Sequence, residues 1–276
     1  MMDEYSPGFE EDERRRSDFI RQLTLRQLGR EDDSWSRPDR TDPTVCVPRT
    51  LVRFWHEQHN VPPDVRRCLD SWDALRDEGI LFRMFDDASA TAYIAQRYGQ
   101  RELDAFGRCT HPAMRSDYFR ICFVLADGGL YVDADDVLRG AGWQDVFRDG
   151  KLKVQPLCYD LTASGMVPSS ELRRRDLPTR ARIFYVNNNP LAASPGHPVL
   201  RRALTRATDR LLGGEPSPEI QATTGPGNLT AVLAAHAHQS PTPDFELLLD
   251  WEETAESCWD LAYRHDERNW RNIYPH

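Results

Sequence analysis

The chain has 276 residues, enough to bury one substantial core, and a single domain with embellishments is the natural reading. Its net charge of −9 excludes a general nucleic-acid binder, which needs basic excess to neutralise phosphates, and disfavours docking on an anionic membrane. No long apolar run is present, so no transmembrane segment is expected, and the opening MMDEYSPGFEEDERRRSDF lacks the apolar core of a secretory signal. Six cysteines (46, 68, 109, 122, 158 and 258) are scattered without a CxxC pair, so neither a zinc site nor an obligatory disulfide is suggested. These features predict a soluble, reduced, cytoplasmic protein. Only Lys151 and Lys153 are lysines among 35 basic residues, a skew that hints at a GC-rich bacterial genome.

Residues 1–12, acidic and bearing Pro and Gly, are expected to be disordered. Phe19, Ile20, Leu23 and Leu28 have helical spacing, with Ser17 as N-cap and Gly29 as stop, and predict a helix that packs on the main domain or on a second subunit. Residues 30–47 form a linker, so 1–46 is assigned as an N-terminal extension and 47–276 as the catalytic domain. Within that domain TLVRFW (50–55) and ILFRMF (80–85) are strands, and 62–75 and 88–98 are helices. Strands alternating with helices predict an α/β domain with a largely parallel sheet, whose ligands sit beyond the carboxyl ends of the strands. Trp55, Asp86 and Asp133 fall at such ends. Further strands are expected at 154–159, 183–186 and 245–249, with helices at 198–212 and 228–236 and an aromatic tail to His276.

The most informative segment is AMRSDYFRICFVLADGGLYVDADD (113–136). Met114, Tyr118, Ile121, Cys122 and Leu125 repeat at three- and four-residue spacing and face the core of a helix that stops at Gly128-Gly129. Asp117 and Arg120 lie three apart on a neighbouring face. Taken alone they are a surface ion pair worth a few tenths of a kcal/mol; beside the acids that follow, they can instead orient sugar hydroxyls, Arg donating and Asp accepting. After an apolar triplet come Asp133, Asp135 and Asp136. On extended chain Asp133 and Asp135 would project to the same side. Two such carboxylates repel each other unless a hard cation joins them, and that cation can in turn bind a diphosphate.

Five ordered segments resemble the family-32 glycosyltransferases, the sugar-binding group with a DXD motif that includes yeast α-1,6-mannosyltransferases, bacterial capsular polysaccharide enzymes and, more distantly, clostridial glucosylating toxins. They are VPRTLVRFWHEQHNVPPDVRRCLDSWDAL (47–75), HPAMRSDYFRICFVLADGGLYVDADD (111–136), NNNPLAASPGHPVL (187–200), TGPGNLT (224–230) and RHDERNW (264–270). The resemblance implies a GT-A (Rossmann-like) fold and a retaining, metal-dependent transfer of a hexose from UDP- or GDP-sugar to an acceptor hydroxyl on a glycan, a lipid-linked acceptor or a natural product. It implies Trp55 as nucleobase platform, Asp117, Tyr118 and Arg120 around the transferred hexose, Asp133 on ribose or sugar hydroxyls, and Asn188 beside the donor sugar, with the register of Asn187-Asn188-Asn189 open by one. Asp135 would ligate Mn²⁺ or Mg²⁺, completed by His265 and Asn269. Here the family's His-His-Trp…Ser-Trp ending is replaced by Arg264-His265-Asp266…Asn269-Trp270. Thr224, Gly225 and Pro226 would shape a loop near the acceptor. No protein nucleophile is implied. The alternatives are a nucleotide-sugar hydrolase, a protein-modifying effector and a silent binding module; intact Asp117, Arg120, Asp133 and Asp135 speak against the last.

Overall fold

Strand β1 (Thr50–Phe54) pairs in parallel with β2 (Leu81–Phe85) on one side and β3 (Gly129–Tyr131) on the other. Parallel neighbours need crossovers, and these are α2 (Pro63–Asp70) between β1 and β2, then α3 (Asp87–Arg97), α4 (Gln100–Gly107) and α5 (Pro112–Asp127) before β3. Beyond β3 come β4 (Asp136–Leu138), β5 (Leu152–Asp160), β6 (Gly165–Met166), α6 (Ser169–Leu172) and β7 (Arg182–Ala193). The chain continues through α7 (Pro198–Leu212), α8 (Ile220–Thr223), α9 (Pro226–Gln239), β8 (Phe245–Leu247), α10 (Trp251–Thr254) and β9 (Ala255–Ser257). The computed structural model describes residues 13–32, 46–214, 219–239 and 243–269. Residues 1–12, most of the expected linker, and the tail from Trp270 lie outside them.

The expected α/β architecture is present, with one difference. The sheet order is β2-β1-β3-β7-β5-β6, with β8 on β5; the pairings are parallel among β2, β1 and β3 and again between β5 and β8. β7 runs antiparallel to β3 and to β5, and β6 antiparallel to β5. The chain returns from β5 to β7 through the short β6 and α6, and β7 runs back alongside β5. The sheet therefore changes character between β3 and β7.

Alternation sorts the strands' side chains between two cores. Val52, Phe54 and Tyr131 join Phe119 and Phe123 of α5 on one face, where α7 and α9 also pack. Leu51, Leu130 and Val132 meet Trp72, Trp143 and Trp251 on the other. The N-terminal helix, α1 (Glu13–Asp32), lies on β7 and contributes Ile20 and Leu28 to the first core. It starts earlier and runs further than its apolar spacing predicts. Ser17 is consequently not its cap: the Ser17 hydroxyl accepts the Phe184 N–H at 2.9 Å and secures the helix to β7. Gln27 makes a second tie, exchanging two hydrogen bonds with the Leu247 backbone.

Asp86 is also reassigned. It caps α3, accepting the Ser89 N–H at 2.8 Å in a capping box, and has a local structural role. Helix α4 was not anticipated, and β7 is far longer than 183–186. Asn and Pro are poor strand formers, but the Asn188 and Asn189 side chains find buried partners, described below, that hold this stretch extended. At the α5–β3 junction both glycines have positive φ, and a Cβ on Gly129 (φ 118°) would lie 2.8 Å from Thr50 O.

Gly79 has φ 77° and open space, with nothing within 4 Å of the point a Cβ would occupy, so Gly79→Ala should cost only the left-handed backbone, about 1–2 kcal/mol. Gly129→Ala should add an overpacking cost of about 1–3 kcal/mol. Urea unfolding of both variants checks this, and equal losses would contradict the close approach of β3 to β1.

Candidate active-site cleft

A cleft of about 680 Å³ opens where the sheet changes from parallel to antiparallel. Its floor is built from α5 and the end of β3. Ser116, Asp117 and Arg120 lie within about one turn of α5 and point at the same strand end. Tyr131 and Asp133, two apart, share a side of the emerging chain. Arg120 is 4% exposed and joins these groups. Its Nη2 donates to Asp133 Oδ1 at 2.9 Å and to Ser116 Oγ at 3.0 Å, and lies 3.2 Å from Asp117 Oδ1. Its Nη1 donates to Asn188 O and Oδ1 at 3.0 and 3.1 Å. Asn188 Nδ2 closes the ring by donating to Asp117 Oδ1 at 2.8 Å. The face of Tyr131 lies 4.4 Å from the guanidinium, and the Tyr131 hydroxyl donates to Asp133.

Asn189 performs a different task from Asn188. Its Oδ1 accepts the Asp133 N–H at 3.0 Å and its Nδ2 donates to Asp136 Oδ2 at 2.9 Å. Successive residues of β7 thus bind α5 and the acidic turn respectively. Asp133 and Asp135 do not project in parallel as extended chain would require. The Asp136 N–H donates to Asp133 O, so the chain turns at Ala134-Asp135 and the two carboxylates acquire separate partners. From below, Trp72 Nε1 donates to Asp136 O at 3.0 Å.

The acidic turn receives the C-terminal segment through the antiparallel pair β4–β9 and the Cys258 N–H bond to Asp135 O. That pairing brings the Tyr263 hydroxyl and the Arg264 guanidinium onto Asp135 Oδ2. Ser257 Oγ donates to Asp136 Oδ1 at 2.6 Å. Arg264 stacks over Trp259 at 4.1 Å, and Arg268, paired with Asp266, also lines the cleft.

Burial dominates the electrostatics of this floor. It pushes the Asp133 carboxyl up to about 6 against the opposing pull of Arg120, with Asp135 and Asp117 adding repulsion. It pushes Asp136 up to about 7, with Asp135 and Asp133 adding to the effect. Burial also raises Asp117, offset by Arg120, Asn188 and Thr224. For Arg120, burial favours the neutral form, but Asp133, Tyr131 and Asp117 hold its pKa above the ordinary guanidinium value. Burial and mutual repulsion thus both disfavour full ionisation of the acidic turn, and a cation placed there would relieve both.

No protein-family model matches the chain, and no curated protein matches it. Among solved structures it is similar to one described as "PaToxG Glycosyltransferase", with 14% identity over 80% of each chain and a TM-score of 0.47. That likeness is distant. The strand pairings and distances above describe the fold and the cleft without it, and the resemblance to family 32 rests on the five ordered sequence segments.

Trp55, Asp117, Arg120, Asp133, Asp135, Asn188 and Asn269 all border the cleft. Trp55 does so as a nearly buried side chain, 7% exposed, packed with Val65, Cys68 and Leu69 and edge-on to Tyr263. Its Nε1 is buried and has no hydrogen-bond partner among the described residues. Tyr118 and His265 are not on the cleft wall. Tyr118 is fully buried with its hydroxyl on Thr208 at 2.6 Å, because its α5 position faces α7. His265 is exposed, because the short helical turn at 262–265 aims Tyr263 and Arg264 inward. Thr224 is buried with its hydroxyl toward Asp117 Oδ2, and Pro226 reaches the cleft. Ser116, Tyr131, Tyr263 and Arg264 were missed, while Asn189, within the open register of the asparagine run, holds the acidic turn and Asn188 holds the Arg120 network. Tyr131 was within reach of the alternation that singled out Asp133.

Among the described residues no three His, Cys, Asp or Glu side chains are grouped as a metal cage. A Mg-class cation needs less, since one or two carboxylates suffice when phosphate oxygens and water complete its shell. Asp133 and Asp135 meet that requirement: among the described residues each keeps one carboxylate oxygen with no hydrogen-bond donor. Asn269, whose Nδ2 donates to Arg264 O at 2.8 Å, lines the same cleft.

Arg120→Leu would leave Asp117 and Asp133 buried without their counter-charge and should destabilise the fold by about 3–5 kcal/mol. Chemical denaturation measures this. A loss below about 1 kcal/mol would mean that the network is not a unit.

Proposed function

We propose that the chain is a glycosyltransferase of GT-A-like architecture that moves a hexose from a UDP- or GDP-sugar to an acceptor hydroxyl. The observation that carries this reading is the buried Arg120–Asp117–Asn188–Asp133 network opening beside the acidic turn at the sheet's switch between β3 and β7. Ligands of open α/β sheets bind beyond the carboxyl ends of strands at such switches. The volume of the cleft falls in the range of small-molecule sites.

Each part has a chemical task in this reading. The free oxygen of Asp133 and the Asp117 carboxylate accept from sugar hydroxyls, while the Asn188 side chain orients the ring. Arg120 holds these groups in place before substrate arrives, so little reorganisation accompanies reaction. Asp135, with Asp133, would hold Mn²⁺ or Mg²⁺, which when bound supplies positive charge to the leaving diphosphate. Arg264 and Arg268 are the protein's own cations at the same end, and forked guanidinium donors suit phosphate oxygens.

In the transfer itself the bond from the anomeric carbon to the diphosphate oxygen breaks and a bond to the acceptor oxygen forms. The acceptor proton leaves with the departing nucleoside diphosphate. Retention of configuration follows if the acceptor enters on the face that the diphosphate vacates. No side chain near Asp133 is then required as a covalent nucleophile.

A thermal-shift screen of UDP- and GDP-sugars, with and without Mn²⁺, tests the reading. One donor should raise the melting temperature in a metal-dependent way, and Asp135→Asn, which also removes the charge partner of Arg264, should lower the unliganded melting temperature and abolish that dependence. Arg264→Gln should weaken nucleoside-diphosphate binding by about 1–3 kcal/mol, the scale of a charged hydrogen bond. Stabilisation by no donor, or equal stabilisation of Asp135→Asn, would contradict it.

A further inference from the structure

An antiparallel sheet with one face on the core and one in solvent alternates apolar-in, polar-out. β5 and β7 keep half of that rule. Cys158, Phe184 and Val186 are buried in the main core. The opposite face carries Leu157 and Tyr159 on β5, Ile183 and Tyr185 on β7, and Met166 on β6, where polar residues belong. Register places them together: Tyr159 sits between Met166 and Ile183, and Leu157 opposite Tyr185. The Tyr185 hydroxyl reaches Met166 Sδ at 3.5 Å. Met166 is 44% exposed and Ile183 36%, so this is an open apolar platform.

The platform is continuous with the cleft. Leu157, Met166 and Tyr185 line both, and Asn187, next on the same face of β7, leads directly to Asn188 and the Arg120 network. Sheet order then gives a direction: Trp55 at the end of β1, the acids after β3, the asparagines of β7, and the apolar residues of β5 and β6. From β3 to β6 is three strand spacings, about 14 Å, more than a transferred hexose spans. A donor extended from β1 over β3 leaves its sugar at β7 and the platform beyond it uncovered.

We infer that the platform receives the acceptor, and that the acceptor is a small molecule whose hydroxyl is carried on an apolar aliphatic or aromatic body. This rests on the transferase reading and assigns the substrate class of its second half. A polysaccharide would find few polar groups on this face, and a chain of net charge −9 is poorly suited to an anionic lipid surface. The acceptor hydroxyl, brought over Asn187 and Asn188, forms the new bond to the anomeric carbon as the diphosphate departs with the proton.

The test compares binding of n-octyl β-D-glucoside, below its micelle concentration, with that of methyl β-D-glucoside by calorimetry. The octyl compound should bind on the order of tenfold or more tightly, since buried methylenes drive its affinity. Ile183→Asp and, separately, Met166→Asp should each erase the difference, while Ile183→Leu should retain it. Equal binding of the two glycosides by the wild type, or a preference that survives both Asp variants, would overturn the inference. Octyl glucoside binding only above its micelle concentration would overturn it in favour of a lipid surface. Donor titrations on the same proteins separate the two readings. A wild type that binds no UDP- or GDP-sugar overturns the transferase reading and the acceptor assignment with it, whatever the glycosides do. Normal donor binding without an octyl preference overturns the acceptor assignment alone.

Discussion

The arrangement of the cleft depends on a guanidinium that has been taken out of water. Arg120 is buried at the centre of the fold, and an isolated charge there would be very costly. Its position is stable because two carboxylates, a hydroxyl, two backbone carbonyls and a side-chain amide converge on it from α5, the end of β3 and β7. No two of those elements can shift without unpairing a buried polar group. The same interaction that locks β7 beside β3 therefore fixes Asp133, Asp117 and Asn188 in the cleft to within hydrogen-bond tolerance.

Around that centre the acidic turn is a problem in charge. Asp133, Asp135 and Asp136 follow one another in a tight bend, and burial pushes two of them well above the ordinary carboxylate range. Three arginines approach from different directions: Arg120 from α5, Arg264 from the C-terminal segment, and Arg53 from β1 beneath Asp136. Arg53 is buried over the Trp72 ring, and burial lowers its pKa to about 10. Among the described residues its Nε and Nη2 have no hydrogen-bond partner, so it acts on the turn through its charge. In the proposed transfer these arginines, with a cation held by Asp135, would offset the charge of the leaving diphosphate. The apolar platform across β5 and β6 supplies the contrasting surface on which an uncharged group can rest.

Much of this was legible in the sequence where local pattern decides structure. The spacing of Met114, Ile121, Cys122 and Leu125, the Gly128-Gly129 stop and the acids behind it locate α5, β3 and the turn. Asp117 and Arg120, three apart, read as a surface pair on spacing alone, yet the helix is buried on nearly all sides. What stayed hidden depends on contacts far apart in the chain. The partners of Asp135 lie 128 and 129 residues away and arrive only through β4–β9, so no local signal favours Arg264 over its neighbour His265. The division of labour between Asn188 and Asn189 follows from strand alternation, but only once β7 is known to continue through them. Tyr118 satisfied the core pattern and belongs to the core.

The most direct measurement is a crystal structure of the protein with a nucleoside diphosphate and Mn²⁺, with the metal located by anomalous scattering. A manganese peak is expected on Asp135, with diphosphate oxygens within hydrogen-bond reach of Arg264 and the Arg120 network unchanged beneath them. A nucleotide bound away from the β3–β7 switch, or one in the cleft with Asp135 still held by Arg264 and no manganese beside it, would contradict the transferase reading of this cleft.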